Sequence, residues 1–246
     1  MGDIKVSKTE WKKTDKRFVA FFDIMGFKDL VMRNEHETIL KLLYKLSNQR
    51  ELLHNANNQM FESKDDKTAK PFTTGESISF TFSDSIIFFS KSDSVKDYKK
   101  IVLDCIVLLH ESLNAGIPIK GALSYGEITV DTAKSIYFGQ PIIDAYLLGE
   151  ELQMYAVIMD HEFELKAKEL SREKFKNSFV AYKAPLKSGR ATHSLIRAYN
   201  KDVHVSSLNS LYSKSYGRPR QYIDNTMAFV NEVDCIDLKI DSEDMF

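Results

Sequence analysis

The sequence predicts an α+β fold in which helices cover a mainly antiparallel sheet, and three stretches carry that expectation. Residues 17–24 form a short apolar run, rich in aromatic side chains and ending near Asp23, too brief for a helix and suited to a strand buried on both faces. Ser77–Phe82 alternates polar and apolar residues, Ser83 and Asp84 supply turn chemistry, and Ser85–Ser90 is a second short apolar run. That pattern is a hairpin with an aspartate at its tip. From 94 to 114, Val95, Tyr98, Ile101, Val102, Cys105 and Leu109 recur at helical spacing, and Gly116 and Pro118 close the helix.

The remaining elements follow in order. Gly26 breaks the first run, and the spacing of Leu30, Val31, Ile39, Leu40, Leu43 and Leu46 predicts one or two helices reaching about residue 53. Residues 55–74 are polar and read as an exposed connection. Strands are expected over 119–130 and 135–138, then a helix over 141–154. Beyond 160 the pattern predicts a charged helix over 162–176, strands near 178–182 and 193–199, and helices over 208–233 broken at Gly217-Arg218-Pro219. The order β-α-ββ-α-β-β-α fits a ferredoxin-like or palm-type arrangement. The expected division is a polar N-terminal segment at 1–16, a core at 17–160, and strands and helices at 161–246 that complete or extend it.

Composition narrows the function. A formal net charge of -1 and a pI near 6.6 create no global positive field, so neither nucleic acid nor an anionic membrane is expected as a partner. Any bound polyanion must be small and held locally. The two cysteines, Cys105 and Cys235, lack metal-knuckle spacing, which suits a reducing, cytoplasmic setting. No run approaches the ~18 apolar residues of a membrane span, and the lysine-rich start has no apolar signal region after it.

In the expected fold the first strand lies beside the hairpin, so Asp23 and Asp84 converge at one sheet edge. Paired carboxylates are hard oxygen ligands for Mg²⁺ or Mn²⁺, and two such ions ~3.5–4 Å apart hold the attacking and leaving oxygens of a phosphoryl transfer. The alternative is that Asp23 caps a helix and Asp84 favours a turn. Against it, Asp23 follows a run that should be buried, where an unpaired carboxylate is costly. Met25, Gly26 and Phe27 separate strand from helix, and backbone N–H groups at such a turn can receive a phosphate, with Lys28 on the next turn as a cationic partner.

Those residues carry a resemblance. Phe22-Asp23-Ile24-Met25-Gly26-Phe27 resembles the D-I-x-G-F element of class III nucleotidyl cyclases, and Phe82-Ser83-Asp84 resembles their second metal-binding hairpin. The segment 116–126 resembles the family's next strand, and 137–148 its Y-W/F-G-x-x-V-N-x-A-x-R-L segment. The resemblance implies conversion of a nucleoside triphosphate to a 3′,5′-cyclic monophosphate. It also implies two Mg²⁺ or Mn²⁺ ions on Asp23, Asp84 and the Ile24 carbonyl, and a head-to-tail homodimer with composite sites.

The departures matter as much. An ungapped match puts Ile143 where the family has a transition-state asparagine and Leu147 where it has an arginine, so another donor must replace them for turnover. Lys28, Lys120, Arg190 and Arg197 are candidates, and Lys120 is preferred because it sits on a central strand. Phe80 and Ile136 fall at the base-reading positions, where neither can hydrogen-bond a purine edge. The F-F-D-I-x-G-F start, the S-D hairpin and the G-x-x-x-x-A-Y-x-L-E-like helix, in which Gly149 precedes Glu150 as a small departure, resemble the pyrimidine cyclases of the bacterial Pycsar antiphage system. That subgroup implies UTP or CTP as substrate, UTP being preferred, and a separate effector protein that senses the product. Tyr44 is a candidate for excluding larger purines from the pocket. A purine or dinucleotide cyclase, or a catalytically silent nucleotide-binding module, are the alternative readings.

Overall fold

The computed structural model describes residues 11–44, 46, 75–171, 175–199 and 201–233. The expected connection at 55–74, the end of the early helix past 46, and Cys235 lie outside the described residues. The first strand, β1 (Thr14–Ile24), is followed by the short helices α1 (Phe27–Arg33) and α2 (36–44). Strands β2 (Ser77–Phe82) and β3 (Ser85–Ser90) form the expected hairpin, and α3 (Val95–Asn114) follows it. The Ser94 side chain caps α3 by accepting a hydrogen bond from the Asp97 amide at 3.2 Å. Then come β4 (Ile119–Asp131), β5 (Ile136–Phe138) and α4 (Gln140–Glu151).

β1 is an interior strand, and both of its edges find antiparallel partners. On one side it pairs with β3, and on the other with β4 along its whole length, from Thr14 opposite Thr129 to Ile24 opposite Ile119. Successive side chains alternate between the sheet's two faces. Phe18 packs against Tyr98 of α3 on one face, and Phe21 meets Tyr146 of α4 edge-on at 5.4 Å on the other. Both faces are therefore covered, as the uniformly apolar run predicts, and Asp23, two residues after Phe21, lies on the α4 face. Arg17 joins the buried run because its guanidinium donates to the carbonyls of Ser90, Lys91 and Lys12.

The region after α4 holds more sheet than the sequence pattern predicts. The strand β6 (Val157–Met159) pairs parallel to β4; at three fully buried residues it is too short to display any period. After α5 (His161–Ser171) and α6 (Phe175–Ser178), β7 (Phe179–Leu186) and β8 (Gly189–Ile196) form a hairpin longer than the two strands expected there. The eight-stranded sheet runs β2-β3-β1-β4-β6-β8-β7, with β5 added to β4. Helices α7 (Lys201–Lys214) and α8 (Arg218–Glu232) end the described chain, divided where Gly217 takes a φ of 68°. Among the described residues no helix is long and apolar enough to cross a membrane.

Candidate active site

The end of β1 is pinned from both sides. The Ile24 amide donates to the Asp84 carbonyl at 2.8 Å, and the Met25 amide donates to the Pro118 carbonyl at 2.9 Å. Gly26 then takes a left-handed turn, φ 74° and ψ 13°, which glycine adopts without the steric cost a Cβ brings, and α1 starts directly after it. On the hairpin side, Ser83 turns with φ 56° and Ser85 stands opposite Asp23. The structure thus brings Asp23, near the end of β1, beside the β2–β3 turn that carries Asp84, with Lys120 opposite Asp23 on β4.

Burial raises the Asp23 carboxyl above the usual carboxylate range; Lys120 opposes the shift, while the charges of Asp84 and Glu150 reinforce it. Lys120 is 2% exposed. Its ammonium donates to the backbone carbonyls of Glu150 at 3.2 Å and Leu152 at 3.3 Å, lies 3.7 Å from the Glu150 carboxylate, and sits 5.8 Å from the Tyr222 ring centre. Burial lowers its pKa, and Glu150 and Asp23 push it back up. Glu150 also binds Lys187 at 3.0 Å. Burial disfavours the Glu150 carboxylate, but Lys187 and Lys120 outweigh that cost and hold its pKa low. Asp23, Lys120, Glu150 and Lys187 therefore form one chain of alternating charge.

This chain lines a cavity of about 660 Å³. Its lining also includes the Met25–Gly26 turn, Asp29, Leu30 and Arg33 of α1, and the end of α7 and start of α8, through Lys214, Arg218 and Tyr222. Of the residues singled out in the sequence, Asp23, Met25, Gly26 and Lys120 share this lining. Ile24 and Phe27 are buried beside the turn, and Lys28 is exposed on α1. Phe80 lies elsewhere on the sheet, half-buried against Phe89 and Tyr137, and Ile136 and Tyr44 are 47% and 57% exposed. Glu150, Lys187, Arg218 and Tyr222 escaped the sequence reading as site residues. Glu150 lies in the helix that carries the resemblance but was given no role, and only the break at Gly217-Arg218-Pro219, which carries no chemical signature, marked the neighbourhood of Arg218 and Tyr222.

The donor set fits a divalent cation. The charge of Asp84 reaches Asp23, and a carboxylate already disfavoured as an anion by burial and by a neighbouring negative charge gains from a cation beside it. Among the described residues no group of three or more His, Cys, Asp or Glu side chains could hold an ion. The pair suits Mg²⁺ or Mn²⁺, which bind through one or two carboxylates and take their remaining ligands from water and phosphate.

No family model and no curated protein sequence matches this chain. Solved structures do. The catalytic core of a rhodopsin-guanylyl cyclase with converted specificity, in complex with ATPαS, superposes with a TM-score of 0.50 at 13% identity, over 75% of this chain and 97% of that one. The monomeric guanylyl cyclase domain of the RhoGC fusion protein from the aquatic fungus Blastocladiella emersonii gives 0.50 at 14% identity, over 76% and 98%. A bacterial light-regulated adenylyl cyclase gives 0.50 at 13% identity, over 87% of this chain and 59% of that one. With its β1 aspartate beside a hairpin aspartate in an eight-stranded, helix-covered sheet, this chain has the palm-type fold of class III nucleotidyl cyclase domains.

Proposed function

We propose that this protein is a metal-dependent nucleotidyl cyclase that converts a pyrimidine nucleoside triphosphate, UTP in preference to CTP, to its 3′,5′-cyclic monophosphate and pyrophosphate. The observation that carries the reading is the placement of Asp23 beside the turn that carries Asp84, next to Lys120 and a cavity large enough for a nucleotide. Asp23, Asp84 and the Ile24 carbonyl would hold two Mg²⁺ or Mn²⁺ ions, which supply Lewis acidity toward the ribose 3′-hydroxyl and the phosphates. The Met25–Gly26 turn orients the polyphosphate over the start of α1. Lys120, fixed by two carbonyls and a carboxylate, places its positive charge where the reacting phosphate develops negative charge.

The pyrimidine reading rests on the family resemblance: Phe80 and Ile136, at its base-reading positions, offer no partner to a purine edge, and they lie outside the lining of the Asp23 cavity in the same chain. The product would serve as a signal in antiviral defence, read by a separate effector protein. The functional form is a homodimer: Ile143, Tyr146 and Leu147 of α4 and Phe138 of β5 leave an apolar surface 46–61% exposed for a second copy to cover. The same exposed Ile143 and Leu147 favour one other reading, a cyclase-like module that binds nucleotide without turnover.

The test is to incubate the purified protein with each of the four ribonucleoside triphosphates and Mn²⁺ and identify products by mass. Cyclic UMP or cyclic CMP is expected. Cyclic AMP, cyclic GMP or a dinucleotide would replace the substrate assignment, and nucleotide binding without product would establish the silent module. Asp23→Ala and Asp84→Ala are each expected to lower turnover by more than about a hundredfold, because even removal of groups behind a metal ligand costs 10–100-fold.

A further inference from the structure

The C-terminal helices do more than extend the sheet's cover: they line part of the Asp23 cavity. The seating of α8 is fixed by several contacts. Tyr222 is buried beside Lys120 and stacks on Tyr155 at 5.9 Å, the Asn225 amide donates to the Gln153 carbonyl at 2.8 Å, and the Thr226 hydroxyl accepts from the Tyr155 amide at 2.9 Å. These contacts set the rotation of the helix about its axis. Arg218, four residues before Tyr222, lies on the same helix face and so lines the same cavity one turn nearer solvent.

The turn between the helices is also held. Arg220 donates to the Ser215 carbonyl at 2.8 Å and lies over the Tyr212 ring at 4.6 Å. This mounting places Lys214, the last residue of α7, beside Arg218 in the lining. Among the described residues neither Lys214 nor Arg218 makes an ion pair, whereas the other cations of the lining are matched, Lys120 and Lys187 by Glu150 and Arg33 by Asp29. The cavity lining therefore holds a buried cation, Lys120, and two exposed cations, Lys214 and Arg218, that make no ion pair among the described residues.

We infer that Lys214 and Arg218 form a clamp that holds the terminal phosphates of the nucleotide, supplied by the same chain as Asp23. The inference rests on the cyclase reading for the orientation of the polyphosphate, with its reacting phosphate at Asp23 and Lys120 and its far end at Lys214 and Arg218. Phosphate oxygens accept charge-assisted hydrogen bonds from both side chains, and arginine can do so in bidentate fashion. The clamp would also hold the leaving pyrophosphate after the chemical step, which makes α8 a contributor to substrate affinity more than to the rate of bond making.

The experiment titrates sodium tripolyphosphate into metal-free protein by calorimetry, comparing wild type with Lys214→Ala/Arg218→Ala. A Lys176→Ala/Lys183→Ala control removes the same charge from exposed positions outside the cavity. The clamp variant is expected to bind tripolyphosphate at least about tenfold more weakly, as loss of charged hydrogen bonds implies, while the control binds as wild type and both melt at the wild-type temperature. Unchanged affinity in the clamp variant, or an equal loss in the control, overturns the clamp. A turnover assay on the same proteins separates the two claims. A raised KM for the triphosphate with kcat within about twofold supports the clamp, and wild-type KM refutes it while leaving the cyclase reading intact. Clamp-dependent tripolyphosphate binding in a protein that forms no cyclic product keeps the anion site and refutes the cyclase reading.

Discussion

At the scale of single residues, Asp23 is a group whose placement costs the empty protein stability. Its carboxyl is raised by burial first, then by the charges of Asp84 and Glu150. A carboxyl whose folded pKa lies above its unfolded value destabilises the fold at every pH above the folded pKa, and the penalty fades as the pH falls through it. Asp23→Asn is therefore expected to raise the neutral-pH melting temperature by about 2–4 °C, the shift that ~1 kcal/mol produces in a chain of this size. The gain should shrink toward acid pH, where wild-type Asp23 takes up its proton, and Mn²⁺ should stabilise wild type but not the variant. Thermal melting between pH 4 and 8 checks both; a variant less stable than wild type at neutral pH would contradict the assignment of strain. Asp23 was legible in the sequence because an acid closing a buried apolar run is chemically conspicuous. Glu150 was not, because a glutamate at the end of an amphipathic helix looks like any solvated one until β4 places Lys120 beneath it.

At the scale of elements, the two glycines that meet behind the site should answer substitution with opposite signs. A Cβ on Gly121 would sit 2.5 Å from the Phe21 carbonyl oxygen and 2.7 Å from the Phe22 ring, so β4 and β1 can approach as they do only with glycine there. Gly121→Ala is expected to destabilise by about 1–3 kcal/mol, the usual cost of overpacking. A Cβ on Gly149, inside α4, would meet nothing nearer than 3.7 Å, and alanine is the better helix former by ~0.8–1 kcal/mol. Gly149→Ala should accordingly stabilise by up to about 1 kcal/mol, and urea unfolding of the two variants tests the pair. The same contrast explains what sequence pattern could reach. Strands β1 to β4 and helix α3 were legible because each is long enough to show its period or is closed by a turn signal. The parallel strand β6 was not, because three buried residues carry no period, and the full β7–β8 hairpin hides partly in charged and small residues whose strand state comes from pairing.

At the scale of the whole molecule, the question is what α4 does with its outer face. Its inner face is fixed on the sheet through Phe21 and Tyr146 and through the buried Ala145 and Gly149. Ile143 and Leu147, one helical turn apart, point away from that contact at 52% and 54% exposure, and Phe138 of the neighbouring β5 is 61% exposed. An apolar stripe at this spacing on an otherwise charged surface is what a partner helix or a second copy covers. A homodimer closed over α4 would bury this stripe. Leu147→Glu places a charge in the centre of that contact, where desolvation without a partner costs several kcal/mol. The variant is expected to sediment as a monomer at concentrations where wild type is a dimer, and to lose most of its turnover. Its melting temperature as a monomer and its tripolyphosphate affinity should stay near wild type, because Leu147 is exposed and does not line the cavity. A wild-type protein that sediments as a monomer at tens of micromolar would remove the dimer. The exposed stripe would then require another covering partner, and each chain would have to complete its reaction with Lys120 and its own cavity alone.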